Sequence, residues 1–281
     1  MSDKISFDTL TAVTQVGGVY GTTVSYGSVN VKGAWTQLSA STPHAATAIV
    51  VNVAEQGGGY EDHLMDIATG AAASEVVLIP NLAIAGRGAY GGSWLIPVTI
   101  PSGTRLSVRG QRSTGNNPLR CSIILINGVL PTSTAVESLG ADLTGSQGTA
   151  VDPGGVADTK GSWVQLIAST ANDIHWLVVM CNTDADNATN QHWSVDIGTG
   201  GAGAEVVVAP DIFTALGASQ GLIEPRVTLI PVVTIPSGTR VAARAQSSNI
   251  ASPSRLINVY VLGINRVEPA GGGGLARIIG G

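Results

Sequence analysis

Charged residues are scarce in this chain of 281 residues: only 12% are Asp, Glu, Lys or Arg, about half the share of an ordinary soluble protein. The 14 Lys and Arg residues are scattered and the net charge is −5. The basic surface typical of nucleic-acid-binding proteins is therefore not expected. A surface with so few charges is prone to association, and we expect other protein subunits to cover part of it.

Long apolar runs and a secretion signal are lacking as well. The most apolar stretch, around 123–130, is too short to cross a bilayer and is interrupted by Asn127 and Gly128. The start, residues 1–5, lacks the charged-then-apolar form of a signal peptide. We therefore expect a protein that is made in the cytoplasm, is not secreted and does not contact a membrane.

Cysteine is rare too, with two residues, Cys121 and Cys181, each within an apolar run that is typical of a strand. Cysteine often packs as a small apolar side chain, which favours two buried free thiols. A disulfide between them is the alternative.

What the sequence does contain is two copies of one unit. The longest match is a seven-residue identity between 99–105 and 234–240. Further blocks match in the same order: 33–53 with 161–181, 66–82 with 196–212, and 113–128 with 248–263. The differences in residue number change only between blocks, where loops are expected. The chain is therefore a duplication.

Both copies have the pattern of short strands. After the shared turn, Leu106 and Val108 alternate with Arg105, Ser107 and Arg109, a period of two that is typical of strands. Short β-branched runs bounded by Gly, Pro, Asn or Ser recur along the chain, and no window indicates an amphipathic helix. The predicted fold is all-β, with two tandem antiparallel β-sandwich domains that resemble jelly rolls.

The predicted boundaries follow from the repeats and from the composition between them. We expect an N-terminal arm at 1–19, a first sandwich at 20–130, a linker at 131–147, a second sandwich at 148–265 and a Gly-rich C-terminal arm at 266–281. Such an arm either docks on a neighbouring subunit or stays flexible.

Recurrent polar residues are the first candidates for a functional site. They are Glu75 and Glu205, Asp66 and Asp196, Arg105 and Arg109, and Arg240 and Arg244. They could form a pair of ligand sites. The interpretation we favour is structural, with Asp66 closing a turn and Arg–Glu pairs joining strands or subunits.

Signals for catalysis or metal binding are weak. The carboxylates Glu61, Asp62 and Asp66 could form an acid pair for glycoside hydrolysis, but the second copy has Gln191 and His192 at the first two positions. The loop 184–190 is rich in oxygen ligands and could hold calcium, but it lacks the EF-hand pattern. We therefore predict no catalytic, cofactor-binding or metal-ligating residues and a chain that is not an enzyme.

Tryptophans allow two interpretations. Trp35 and Trp163 are equivalent and are expected to anchor the two cores, whereas Trp94 is expected only at a strand entrance. Trp176 and Trp193 occur in the second copy alone. They could form a sugar platform, although packing in a core or an interface is favoured.

The repeated motifs carry a resemblance to a known class of protein. The pattern Trp-x-Gln-Leu-x-Ala-Ser-Thr, then Asp-Ile-x-Thr-Gly, then Glu-Val-Val, then Ile-Pro-x-Gly-Thr-Arg resembles modules in structural proteins of tailed bacteriophages. Here it is carried by 35–42, 66–70, 75–80 and 100–111 and their second copies, about four-fifths of the chain including the spaces between. The resemblance implies a virion component on the particle exterior and brings no catalytic residues.

The function expected from the sequence is therefore a capsid decoration (cement) protein, assembled in the host bacterial cytoplasm. The expected partners are further copies of the chain, with a trimer among the candidate states, and major capsid or tail proteins. The alternative is a tail or head fibre module, an adhesin that binds carbohydrate on the host surface.

Overall fold

The computed structural model describes residues 12–18, 20–55, 60–87, 91–114, 118–128, 132–183, 191–216, 228–252 and 255–266. Within these ranges every regular element is a β-strand. No helix there is long and apolar enough to span a membrane. The predicted all-β class is confirmed.

The first repeat forms two antiparallel sheets. Its strands are β1 (Ala12–Val16), β2 (Thr22–Thr23), β3 (Thr36–Ser39), β4 (Ala46–Glu55), β5 (Tyr60–Thr69), β6 (Val76–Arg87), β7 (Gly91–Ile100), β8 (Leu106–Arg112) and β9 (Leu119–Asn127). Sheet I has the order β1-β9-β4-β7, with β2 also paired to β9, and sheet II has the order β3-β8-β5-β6. Ile49, Trp94 and Ile123 from sheet I meet Ile67 and Leu106 from sheet II in the first core.

The second repeat repeats this plan. Its strands are β10 (Val136–Leu139), β11 (Ala141–Asp142), β12 (Gln147–Val151), β13 (Val164–Ile167), β14 (Ile174–Thr183), β15 (Gln191–Thr199), β16 (Val206–Leu216), β17 (Thr228–Ile235), β18 (Val241–Ser247) and β19 (Ile257–Ile264). Sheet III has the order β11-β12-β19-β14-β17, with β10 also paired to β19, and sheet IV has the order β13-β18-β15-β16. Trp193 and Val195 of sheet IV meet Leu177 and Val261 of sheet III in the second core.

The strand order in each repeat is that of a jelly roll. From β3 to β9, consecutive strands of the first repeat belong to opposite sheets, except that β5 and β6 are neighbours in sheet II. Sheet III corresponds to sheet I and sheet IV to sheet II. The predicted pair of antiparallel β-sandwiches is confirmed.

Local chemistry places the strands as the sequence predicts. Leu106 and Val108 face the core, and the Arg residues that alternate with them face outward. The turn before β8 contains Gly103 at φ 79°, and its copy before β18 contains Gly238 at φ 81°. This left-handed conformation is open to glycine without a steric penalty.

The two sandwiches are stacked, because the outer face of sheet III packs on the outer face of sheet II. Met180 and Tyr260 of sheet III belong to the same apolar cluster as Leu64 of sheet II. The Tyr260 hydroxyl donates to the carbonyl of Pro80 (3.2 Å), which lies on β6. Sheet III is thus buried on both faces, and the four sheets lie in the order I, II, III, IV.

Segments predicted as arms and linker contribute strands. Strand β1 lies within the predicted N-terminal arm and pairs with β9. Strand β10 lies within the predicted linker, 131–147, and pairs with β19. The predicted C-terminal arm lies, apart from Arg266, outside the described residues.

The pairing of strands corrects the alignment of the last repeated block. Asn52 pairs with Ser122, whereas its counterpart Met180 pairs with Tyr260. Ser122 therefore corresponds to Tyr260. The alignment of 113–128 with 248–263 instead places Ser122 opposite Ile257, three residues earlier. Only 4 of the 16 residues in that block are identical, which is too few to fix the register, and strand pairing sets it.

Candidate functional site

Asp66 organises a cluster of charged groups on sheet II. One carboxylate oxygen accepts hydrogen bonds from Lys32 Nζ (2.8 Å) and from the backbone N–H of Asn81 (2.8 Å). The other oxygen accepts from Arg109 Nε (3.0 Å). Burial lowers the pKa of the Lys32 ammonium, and the adjacent carboxylate offsets part of that effect. We call these residues the Asp66 cluster.

The second repeat has the same arrangement, the Asp196 cluster. Asp196 accepts from Lys160 Nζ (2.7 Å), from the backbone N–H of Asp211 (2.9 Å) and from Arg244 Nε (2.9 Å). Burial opposes ionisation of this carboxyl, but the hydrogen bonds from Asp211, Lys160 and Arg244 outweigh it and lower the pKa of Asp196 below its ordinary value.

Both clusters hold a strained point of the backbone. Asn81 and Asp211 have φ values of 50° and 49° in the middle of a strand, a conformation that costs most residues free energy. The carboxylate fixes each of them through its N–H. Asp66 is expected from the sequence to close a turn, but it lies within β5. There it stabilises an irregularity in the pairing of β5 with β6.

The lysines of these clusters were not recognised in the sequence. Lys32 directly precedes the segment 33–53, and Lys160 directly precedes its copy 161–181. The two lysines are therefore equivalent in the two repeats. Extending the comparison by one position would reveal the pair.

Trp35 and Trp163 are not core residues as expected. The Arg109 guanidinium lies 4.4 Å from the ring centre of Trp35, and that of Arg244 lies 4.6 Å from the ring of Trp163. Both rings are partly exposed. They cover the arginines of the two clusters, while the fully buried tryptophan of the first core is Trp94.

The Arg–Glu pairs connect elements within one repeat. Arg105 donates to Glu75 (3.0 Å), to the carbonyl of Gly70 (3.1 Å) and to Gln37 (3.1 Å). In the second repeat the same contacts recur, from Arg240 to Glu205, Gly200 and Gln165. The repeated charges thus contact each other and hold the sandwich together.

The two adjacent carboxylates of the hydrolase hypothesis point in opposite directions. Glu61 and Asp62 are consecutive in β5, and side chains alternate between the faces of a strand. Glu61 lies 3.7 Å from Arg112, whereas Asp62 accepts from Asn182 Nδ2 (2.6 Å) across the contact between the sandwiches. These two groups do not converge on one bond.

The sequence predicts no metal ligands. In the described ranges no group of three or more His, Cys, Asp and Glu side chains could hold a metal ion. The loop 184–190, considered for calcium, lies outside the described residues.

The two tryptophans of the sugar-platform hypothesis are not on an open surface. Trp193 is 1% exposed in the second core and donates to the carbonyl of Arg255 (2.8 Å). Trp176 is packed against the cluster between the sandwiches. Both have the packing role that the sequence favours.

Cys121 and Cys181 are free thiols, in agreement with the favoured interpretation. They lie in different cores, which excludes a bond between them. Burial raises the pKa of each thiol to about 12.

We expect both thiols to resist alkylation in the native protein. Alkylation requires the thiolate, which the raised pKa of each thiol disfavours, and burial keeps the reagent from the sulfur atoms. Iodoacetamide at pH 8 should modify neither thiol in native buffer and both in 6 M guanidinium, as read by intact mass. Rapid modification of one thiol in native buffer would contradict its burial.

At the ends of the stack, two sheet faces are not covered by any other sheet of the described residues. On the outer face of sheet I lies a cavity of about 470 Å³ whose lining includes Asn52, Arg120 and Ser122, with Tyr20 at 85% exposure on its rim. On the outer face of sheet IV, Phe213 is 54% exposed. These faces are the surfaces available for a partner.

No protein-family model matches this sequence, and no curated protein matches it. Among solved structures, peptide-N(4)-(N-acetyl-β-D-glucosaminyl) asparagine amidase aligns with 92% of this chain and 97% of its own, at 10% identity and a TM-score of 0.42. The tandem CBM22 domain of Paenibacillus barcinonensis Xyn10C aligns over 82% of each chain, at 10% identity and a TM-score of 0.23.

A viral capsid protein is also similar. The structure of infectious bursal disease virus, Gx strain, aligns with 96% of this chain and 76% of its own, at 14% identity and a TM-score of 0.23. Similar structures thus include a viral protein and carbohydrate-binding modules, and neither is specific to tailed bacteriophages. At such identities and TM-scores these likenesses give no function.

One sequence-based prediction is contradicted by the comparisons. The sequence predicts a chain that is not an enzyme, whereas one solved structure that aligns with nine-tenths of it is that of an amidase. The prediction that the chain is not an enzyme is therefore wrong. The amidase activity is a property of the other protein, and at 10% identity it does not carry over.

Proposed function

We propose that this chain is a structural protein on the exterior of a tailed bacteriophage particle, most simply a capsid decoration protein. The observation that carries the proposal is the pair of open sheet faces at the ends of a stacked double sandwich. Its contacts would be with further copies of itself and with the major capsid or tail proteins.

The distribution of charge supports an assembly role. The repeated acidic and basic side chains are engaged inside each repeat, in the Asp66 and Asp196 clusters and the Arg–Glu pairs. The Asp196 cluster lies on the outer face of sheet IV, where its charges pair with each other. Apolar side chains are exposed on the end faces as well, among them Val13, Leu95 and Phe213. Paired charges and exposed apolar side chains suit stable interfaces between subunits.

The proposal is tested on particles of the virus that encodes this chain. Purified particles are analysed by quantitative mass spectrometry and by cryo-electron microscopy at a resolution that separates the two sandwiches. We expect a fixed copy number relative to the major capsid protein and density for a double sandwich on the shell. Absence from mature particles would overturn the proposal, and density confined to fibres would assign the chain to a fibre instead.

A further inference from the structure

The two sandwiches are joined head to tail, because the faces in contact are not equivalent. The outer face of sheet II, with Leu64, lies on the outer face of sheet III, with Met180 and Tyr260. Sheet III corresponds to sheet I, and sheet II corresponds to sheet IV. One face of each kind is therefore used inside the chain, and one of each kind is open at its two ends.

Phe213 is a projection on the open face of sheet IV. It pairs with Ser194, which lies between two core residues of β15 and therefore points outward. The ring of Phe213 stacks on the exposed ring of His192, with 5.7 Å between the ring centres. At the equivalent position in sheet II, opposite Leu64, the first repeat has Ala83, which packs in the contact between the sandwiches.

The cavity on the open face of sheet I is the matching depression. Asn52 and Ser122 line it, at the positions where sheet III has the larger side chains of Met180 and Tyr260. Inside the chain, the small residue Ala83 of sheet II faces the large residues Met180 and Tyr260 of sheet III. At the open ends the sizes are exchanged. The large residue Phe213 is on sheet IV, and the small residues Asn52 and Ser122 are on sheet I.

We propose that Phe213 of one copy enters the sheet I cavity of a second copy, so that copies stack through the contact that already joins the two repeats. The cavity of about 470 Å³ has the volume of a small-ligand site and exceeds that of an aromatic ring. Groups of opposite charge also lie on the two faces. Asp211 is two residues from Phe213 and its side chain is 74% exposed, although it pairs with Lys160 (3.0 Å). Arg120 lines the cavity. Such a contact is heterologous and leaves one face of each kind open, so it builds rings or filaments.

The test uses two full-length variants that each lose one face. Phe213→Asp removes the projection, and Ser122→Trp fills the cavity. We expect the unmodified protein to exceed the mass of two chains at high concentration in analytical ultracentrifugation. Each variant alone should be monomeric, with at least a ten-fold weaker association. An equimolar mixture should form a two-chain complex and stop there, because one complementary pair of faces survives.

Val156→Asp, at an exposed loop position outside the strands of sheets I and IV and outside the cavity lining, is the control and should associate like the unmodified protein. Circular dichroism and the unfolding midpoint establish that each variant is folded. A monomeric unmodified protein, a mixture without complexes, or variants that associate normally would each overturn the proposal. These outcomes are independent of whether the chain is found in virus particles.

Discussion

Replacing Asp196 by alanine is expected to lower the free energy of unfolding by about 3–5 kcal/mol, the usual cost of breaking a buried ion pair on one side only. The carboxylate is 3% exposed and accepts from Lys160, Arg244 and the backbone of Asp211. Without it, the Arg244 guanidinium loses its carboxylate partner, and Lys160 keeps only the exposed carboxylate of Asp211 (3.0 Å). The left-handed residue Asp211 also loses the acceptor for its N–H. Asp66→Ala should have the same effect in the first repeat.

Chemical denaturation followed by tryptophan fluorescence measures this change, with Asp152→Ala as the matched control. Asp152 also pairs with an arginine, Arg255 (2.6 Å), but its side chain is half exposed. An exposed pair contributes about 1 kcal/mol or less. If Asp196→Ala and Asp152→Ala cost the same, the Asp196 cluster is not the structural element that its geometry indicates.

The sequence predicts what depends on local pattern. The alternation of Leu106 and Val108 with polar residues identifies β8 and its inner face, and the shared turn identifies its copy. Strand β10 is not predicted, because Val136–Leu139 is short and lies in a polar segment. The strand is defined by its pairing with β19, more than a hundred residues later in the sequence. Such a distant pairing is not visible in a short stretch of sequence.

The site was harder to predict than the fold for a related reason. The repeat comparison finds Asp66, Asp196 and the arginines, but it cannot say that Asn81 and Asp211 supply the N–H groups, since these are different residue types at equivalent positions. It also places Trp35 in the core because an aromatic residue is usually buried. The Arg109 guanidinium that stacks on it makes a partly exposed position favourable.

The stacking of the sandwiches has no counterpart in the sequence pattern of either repeat. Met180 and Tyr260 look like ordinary strand residues, and only the structure shows that they face away from their own core toward the other sandwich. The equivalent positions on the open face of sheet I hold the smaller polar residues Asn52 and Ser122. The type of residue at these positions therefore distinguishes the buried face from the open one. Differences between the copies, which a repeat search discards, therefore hold the information about partners.

Acidification is expected to destabilise the first sandwich through His63, which is 1% exposed on the inner face of β5. Burial and, to a smaller extent, the positive charge of Arg112 together lower the pKa of this imidazole to about 3. The other groups around it are Glu61, which faces Arg112, and Tyr26, whose ring lies 5.5 Å from that of His63. His63 is therefore neutral in the folded protein at any pH above about 3.

In the unfolded chain the same histidine binds a proton below its ordinary pKa of about 6.5. Between pH 6.5 and 3 the unfolded state thus holds one more proton than the folded state, so stability rises with pH and is lost as pH falls. The loss of unfolding free energy attributable to His63 is about 3 kcal/mol between pH 7 and pH 4. About 2 kcal/mol of this loss arises above pH 5, where most carboxylates remain ionised.

Denaturation series at pH 7, 6, 5 and 4 measure this loss of stability. His63→Phe should remove that part of the pH dependence, whereas His192→Gln, at an exposed position, should keep it. An unchanged slope in His63→Phe would show that His63 is protonated in the folded protein or that the acid sensitivity comes from other groups.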